Sequence, residues 1–73
     1  MAQISLGESK WRMLRRALHK KTFRYQDCRN MHRFDRDHFD WLVKNGFFEA
    51  VGDDLYRVTA KGEAAAELGF YDV

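Results

Sequence analysis

No proline occurs in this chain of 73 residues, and cysteine occurs once. With no Pro-rich or Ser-rich stretch, nothing reads as a linker, and a single domain over residues 1–73 is expected. The lone Cys28 cannot close an internal disulfide, which points to a reducing, cytoplasmic setting. No apolar run approaches ~18 residues, so no membrane-spanning helix and no membrane partner are expected. The N-terminus shows no charged region followed by an apolar stretch and a small-residue cleavage site, so no secretory signal is expected either.

Chemical signatures are equally sparse. There is no Gly-rich phosphate loop, nucleophile motif or paired ligand box, so neither an enzyme nor a cofactor nor a small-molecule substrate is expected. Asp35, Asp37 and Asp40 lie close in sequence, but helix capping and solvation account for them. Cys28 and His32 are four apart and would share a helix face, with His19 and His38 elsewhere. A structural zinc wants four ligands, and no second pair has the spacing, so no metal is expected and Cys28 reads as a small core residue.

What the chain does contain is apolar and aromatic bulk: six Phe, three Tyr and two Trp, with 45% hydrophobic and 33% charged residues. That balance is globular, and at this length most large apolar side chains must be buried. The formal net charge of +2 hides an asymmetry. Up to residue 34, nine basic residues face only Glu8 and Asp27; from residue 35 onward, four face nine acids. Such polarity fits an acidic partner for the first half, nucleic acid being the commonest, and equally fits two halves that attract each other within the fold.

Ser5 and Glu8 have capping-box spacing, which predicts a first helix from Ser5. Trp11, Leu14 and Leu18 recur at helical intervals with Ala17 beside them, while Arg12, Arg15, Arg16, His19 and Lys20 fall on the opposite face. Thr22 to Tyr25 reads as a short extended piece. A second helix is predicted over Gln26 to His32, burying Cys28 and Met31, with Phe34 as its end. Asp35 is the expected N-cap of a third helix running to Asn45, with Phe39, Leu42 and Val43 as its buried stripe and Gly46 as its stop. Two β-rich runs, 47–51 and 55–59, flank Gly52-Asp53-Asp54 and predict a hairpin. Thr59 is positioned to cap a last helix through Ala64, Ala65 and Ala66, ended by Gly69, with an aromatic tail after it.

Trp41-Leu42-Val43-Lys44-Asn45-Gly46-Phe47-Phe48-Glu49, followed by Leu55-Tyr56-Arg57-Val58-Thr59-Ala60-Lys61-Gly62, resembles the winged helix-turn-helix superfamily. The resemblance runs over residues 5–69. It implies an α+β winged helix: a three-helix core, a two-stranded β-hairpin wing and a C-terminal helix. It further implies DNA binding by a small bacterial or phage-type transcriptional regulator, although a substantial minority of the superfamily are protein-interaction modules. In the usual mode the third helix enters the major groove, which would present Arg36, Asp37, Asp40, Trp41 and Lys44. Arg36 and Lys44 can donate to guanine or phosphate, whereas the aspartates there, and Asp53 and Asp54 at the wing tip, would oppose phosphates.

An alternative nucleic-acid surface is the basic face of the first helix, Arg12, Arg15, Arg16 and Lys20, continued by Lys21, Arg24, Arg29 and Arg33. It would track a phosphate backbone without sequence choice; a plain solvated face is the competing reading. Trp41 either packs under the first helix or is an aromatic anchor for a protein partner or a second copy.

Overall fold

In the computed structural model, which describes residues 3–72, the chain runs β1 (Gln3–Ser5), α1 (Glu8–Leu18), α2 (Tyr25–Cys28), α3 (Asp35–Lys44), β2 (Phe48–Gly52), β3 (Leu55–Val58), α4 (Ala60–Leu68) and β4 (Phe70–Asp72). Among the described residues this is a small α+β domain of four helices and two antiparallel two-stranded sheets.

The later elements follow their local signals. Gly46, just beyond α3, has φ 83° and donates its N–H to the Val43 carbonyl, a left-handed turn that a side chain would strain. The β2–β3 hairpin pairs Phe48 with Val58 and Ala50 with Tyr56, turns at Asp53-Asp54, and carries an irregularity between Ala50 and Gly52. Thr59 caps α4 by accepting the Gly62 N–H at 3.0 Å, and its own hydroxyl donates to the Gly46 carbonyl at 2.6 Å. Gly69 closes α4 in the left-handed conformation. Phe23 bridges Tyr56 through two backbone hydrogen bonds of 2.9 and 2.8 Å, so the short extended piece lies against the hairpin.

The first half departs from its pattern. Ser5 is not a helix cap: it pairs with Phe70 in the β1–β4 sheet, and α1 starts at Glu8 behind Gly7. The Ser5 hydroxyl accepts only the Gly7 N–H, at 3.3 Å. The tail after Gly69 is therefore a strand, a second sheet that the sequence pattern did not predict. The second helix is one turn, Tyr25–Cys28, rather than Gln26 to His32. Arg29 is already extended, and Met31, expected inside, is 81% exposed. Asp35 is the first residue of α3, and Phe34 holds the cap position. Its carboxylate instead reaches back and accepts the His32 N–H at 3.0 Å, fixing the turn that precedes α3.

The core is one cluster. Met13, Leu14 and Ala17 from α1 meet Phe39 and Leu42 from α3, with Phe23, Cys28, Phe47, Phe48, Ala65, Ala66 and Leu6 filling in. Phe23 packs edge-on to Phe48, with ring centroids 4.7 Å apart, and Phe39 packs edge-on to Tyr56 at 4.9 Å. Burying each such ring contributes about 1.5–3 kcal/mol. The Trp11 indole N–H donates to the Ala66 carbonyl at 2.8 Å, joining α1 to the last turn of α4. Gly62 lies so close to Phe47 that a Cβ built there would be 2.3 Å from the Phe47 carbonyl oxygen.

Candidate nucleic-acid interface

The polar side of α1 is turned outward as a direct result of its periodicity. Because Met13, Leu14 and Ala17 are buried, the helical period leaves Arg12, Arg15, Arg16, His19 and Lys20 on the exposed face. Lys21, Arg24, Arg29 and Arg33, in the segments that follow, are exposed as well, as are Arg36 and Lys44 on α3.

Three of the described cations are engaged by carboxylates. Arg12 pairs with Glu8 at 2.5 Å, Arg36 with Asp40 at 3.2 Å, and Arg57 with Glu49 at 2.6 Å. All three pairs are solvent-exposed, so each contributes little to stability, but each lowers the local charge offered to an anion. Among the described residues no carboxylate lies within ion-pair distance of Arg15, Arg16, Lys20, Lys21, Arg24, Arg29, Arg33 or Lys44.

Several of these cations are held in place. Arg16 donates to the Arg29 carbonyl and, at 2.8 Å, to the Asn30 side chain. Asn30 in turn donates to the Ser9 carbonyl at 2.9 Å. The loop after α2 is thereby fastened to α1, and Arg29 is drawn beside the α1 cations. Arg15 lies over the Trp11 ring, and Arg29 and Arg36 both lie over Tyr25, at 5.9 and 5.1 Å. Lys20 and Lys21 line an open depression with Arg57, and Glu63 is the acid there.

The hairpin carries the opposite sign. Asp53 and Asp54 are exposed at its tip, and its one cation, Arg57, is already paired with Glu49. On α3, Asp37 and Asp40 are exposed beside Arg36 and Lys44. The α1 side and the hairpin thus present different charge to solvent.

Trp41 is partly buried and stacks on Phe47, with ring centroids 5.5 Å apart and planes at 17°, and Tyr71 meets it edge-on at 5.5 Å. The Lys10 ammonium of α1 covers its ring at 4.5 Å. The sequence pattern missed Tyr71, because the residue reaches Trp41 only through the β1–β4 sheet.

Cys28 is fully buried, and burial first, then Asp27 and Asp35, pushes its thiol from 9.0 up to about 12. A thiol so placed stays protonated at neutral pH. Among the described residues no three His, Cys, Asp or Glu side chains converge as metal ligands. No described helix is long and apolar enough to cross a membrane. No family model, curated protein or solved structure matches this chain.

Proposed function

We propose that the chain is a winged-helix domain that binds DNA in the cytoplasm, as a small transcriptional regulator does, and that it docks through α1 rather than through its wing. The observation that carries this reading is the set of exposed cations without carboxylate partners: Arg15, Arg16, Lys20, Lys21, Arg24, Arg29 and Arg33. Surface charges of one sign ordinarily alternate with the other, and a run of this length favours a polyanion. The winged-helix assignment is supported by the order of helices α1 to α3, then hairpin, then α4, and by the Phe23–Tyr56 bridge beside the hairpin.

The departure from the usual docking follows from charge. The acidic tip of the hairpin opposes phosphate, and the third helix brings two exposed aspartates for its two cations. Contact through α1 and the following segments is of the phosphate-tracking kind, which supplies affinity with little sequence choice. One feature favours a protein-interaction or assembly module instead: Leu68 and Phe70 are exposed and together line an open depression between α4 and β4.

Fluorescence anisotropy with labelled duplex DNA at increasing salt tests the proposal. If all seven cations neutralise phosphates, log K falls against log salt with a slope of about −6. Replacing Arg12, Arg15 and Arg16 with Gln weakens binding on every sequence, and Arg15→Gln with Lys20→Gln flattens the slope by about 2. No duplex binding at low salt rejects the reading in favour of the protein-interaction module.

A further inference from the structure

The loop joining α2 to α3 holds two costs at once. Met31 has φ 61°, a left-handed conformation that disfavours side chains, and it is also 81% exposed. Phe34, three residues on, is 44% exposed. Neither is a fraying end. Upstream, the Arg29 carbonyl accepts from Arg16, and Asn30 donates to Ser9. Downstream, the His32 N–H is held by Asp35, and the Phe34 N–H donates to the His32 ring nitrogen Nδ1 at 3.2 Å. The loop is anchored on both sides, and the anchoring turns its apolar side chains into solvent.

Two cations flank this tip, and the His32 ring lies 5.6 Å from that of Phe34. An Arg29 guanidinium nitrogen lies 3.3 Å from the Met31 sulfur, and the Arg33 guanidinium lies over the Phe34 ring at 4.8 Å. Exposed apolar side chains that each have a guanidinium beside them match a partner with anionic edges and flat apolar interior surfaces. Nucleic acid has that chemistry: phosphates outside, base faces within. Apolar side chains of this type can enter between base steps and unstack them, and aromatic rings stack on unpaired bases.

We infer that Met31 and Phe34 form a wedge that contacts base faces at a distorted or unpaired step in DNA, while Arg29 and Arg33 hold the flanking phosphates. This rests on the DNA-binding reading above and adds a substrate preference to it: distorted duplex over intact duplex.

The test uses the full chain, a labelled intact duplex, and the same duplex with a small internal bubble carrying 2-aminopurine. The wild type binds the bubble about tenfold tighter than the intact duplex, and the 2-aminopurine emission changes on binding. Met31→Ser with Phe34→Ala abolishes both the preference and the emission change, leaves intact-duplex affinity within about twofold, and keeps the circular dichroism melt. Phe34→Trp, with Met31 retained, preserves the preference. Equal affinity of the wild type for the two DNAs overturns the wedge while leaving DNA binding intact. So does a preference that survives the double substitution. Binding to neither DNA overturns the wedge and the DNA-binding reading together. Self-association in sedimentation that the double substitution abolishes, with no bubble preference in the wild type, makes the tip a contact between copies and overturns the wedge.

Discussion

Gly62→Ala sets two effects of comparable size against each other, and the structure decides which one wins. Gly62 lies inside α4, where alanine is intrinsically preferred by about 0.5–1 kcal/mol. Propensity alone therefore predicts a more stable protein. The new Cβ, however, would be 2.3 Å from the Phe47 carbonyl oxygen and 2.8 Å from Val58 Cγ1. The first of these contacts is backbone, and it cannot swing aside. The Phe47 carbonyl already accepts the Thr59 N–H at 3.0 Å, so α4 must lift away from the start of β2, loosening both the cap and the hairpin base. Overpacking of this kind costs about 1–3 kcal/mol, and the strictly backbone contact places it at the upper end. The net expectation is a loss of about 2 kcal/mol, a drop in Tm of about 8–16 °C for a domain of this size. Thermal and urea melts followed by circular dichroism measure it. Ala64→Gly, at an exposed position of the same helix, is the control and costs about 0.5–1 kcal/mol through propensity alone. An unchanged or raised Tm for Gly62→Ala refutes the close approach of α4 to Phe47.

Charge reversal separates the two faces: Asp53→Lys with Asp54→Lys leaves DNA affinity unchanged or raised, while Arg15→Glu with Arg16→Glu reduces it at least tenfold, both read by anisotropy; the opposite asymmetry makes the hairpin the recognition element and its partner a basic protein. Trp11→Phe removes the hydrogen bond to the Ala66 carbonyl, a helix-terminal acceptor, and costs about 1 kcal/mol in urea denaturation. The Cys28 thiol, raised from 9.0 to about 12, stays protonated in the folded chain while the unfolded chain ionises, so its contribution is fully present below pH 9 and is lost as pH rises from 9 toward 12. Urea melts across that range fall less steeply for Cys28→Ala than for the wild type, and a thiol reagent at neutral pH labels Cys28 only on unfolding.

The legible parts of this fold are those whose determinants are local. Gly46, Thr59, Gly69 and the hairpin turn each act within a few residues and stand where the pattern puts them, except that Gly52 pairs with Leu55 as the last residue of β2 and leaves Asp53-Asp54 alone as the turn. Ser5 misled for the same reason. Its spacing to Glu8 is a genuine local cap signal, but pairing with Phe70, 65 residues away, overrides it, and no window of sequence shows that partner. The end of the second helix is not legible because nothing between Cys28 and Phe34 is a glycine or proline that would mark it. Met31 then fell on an apolar period that the chain does not continue. Of the candidate interface, the outward basic face of α1 was readable from spacing, since its apolar residues fix what remains outside. Which cations are already neutralised was less so: Arg57–Glu49 depends on hairpin register.

The β1–β4 pairing has a consequence for how the chain assembles. Gln3 faces Asp72, so the sheet closes a loop comprising nearly the whole described chain. Loop closure of that length is entropically costly and is offset by three residue pairs, the Leu6–Gly69 backbone hydrogen bond and the packing of Tyr71 on Trp41 and Phe47. A pairing this non-local is expected to form after the local elements, so slower protection of its amides than of those in α1 and α3 in pulsed hydrogen exchange checks it. Because residues 3 and 72 lie side by side, a short Gly-rich bridge between them, with new ends cut at Asp53-Asp54, would yield a circularly permuted chain in which that late step becomes a local one.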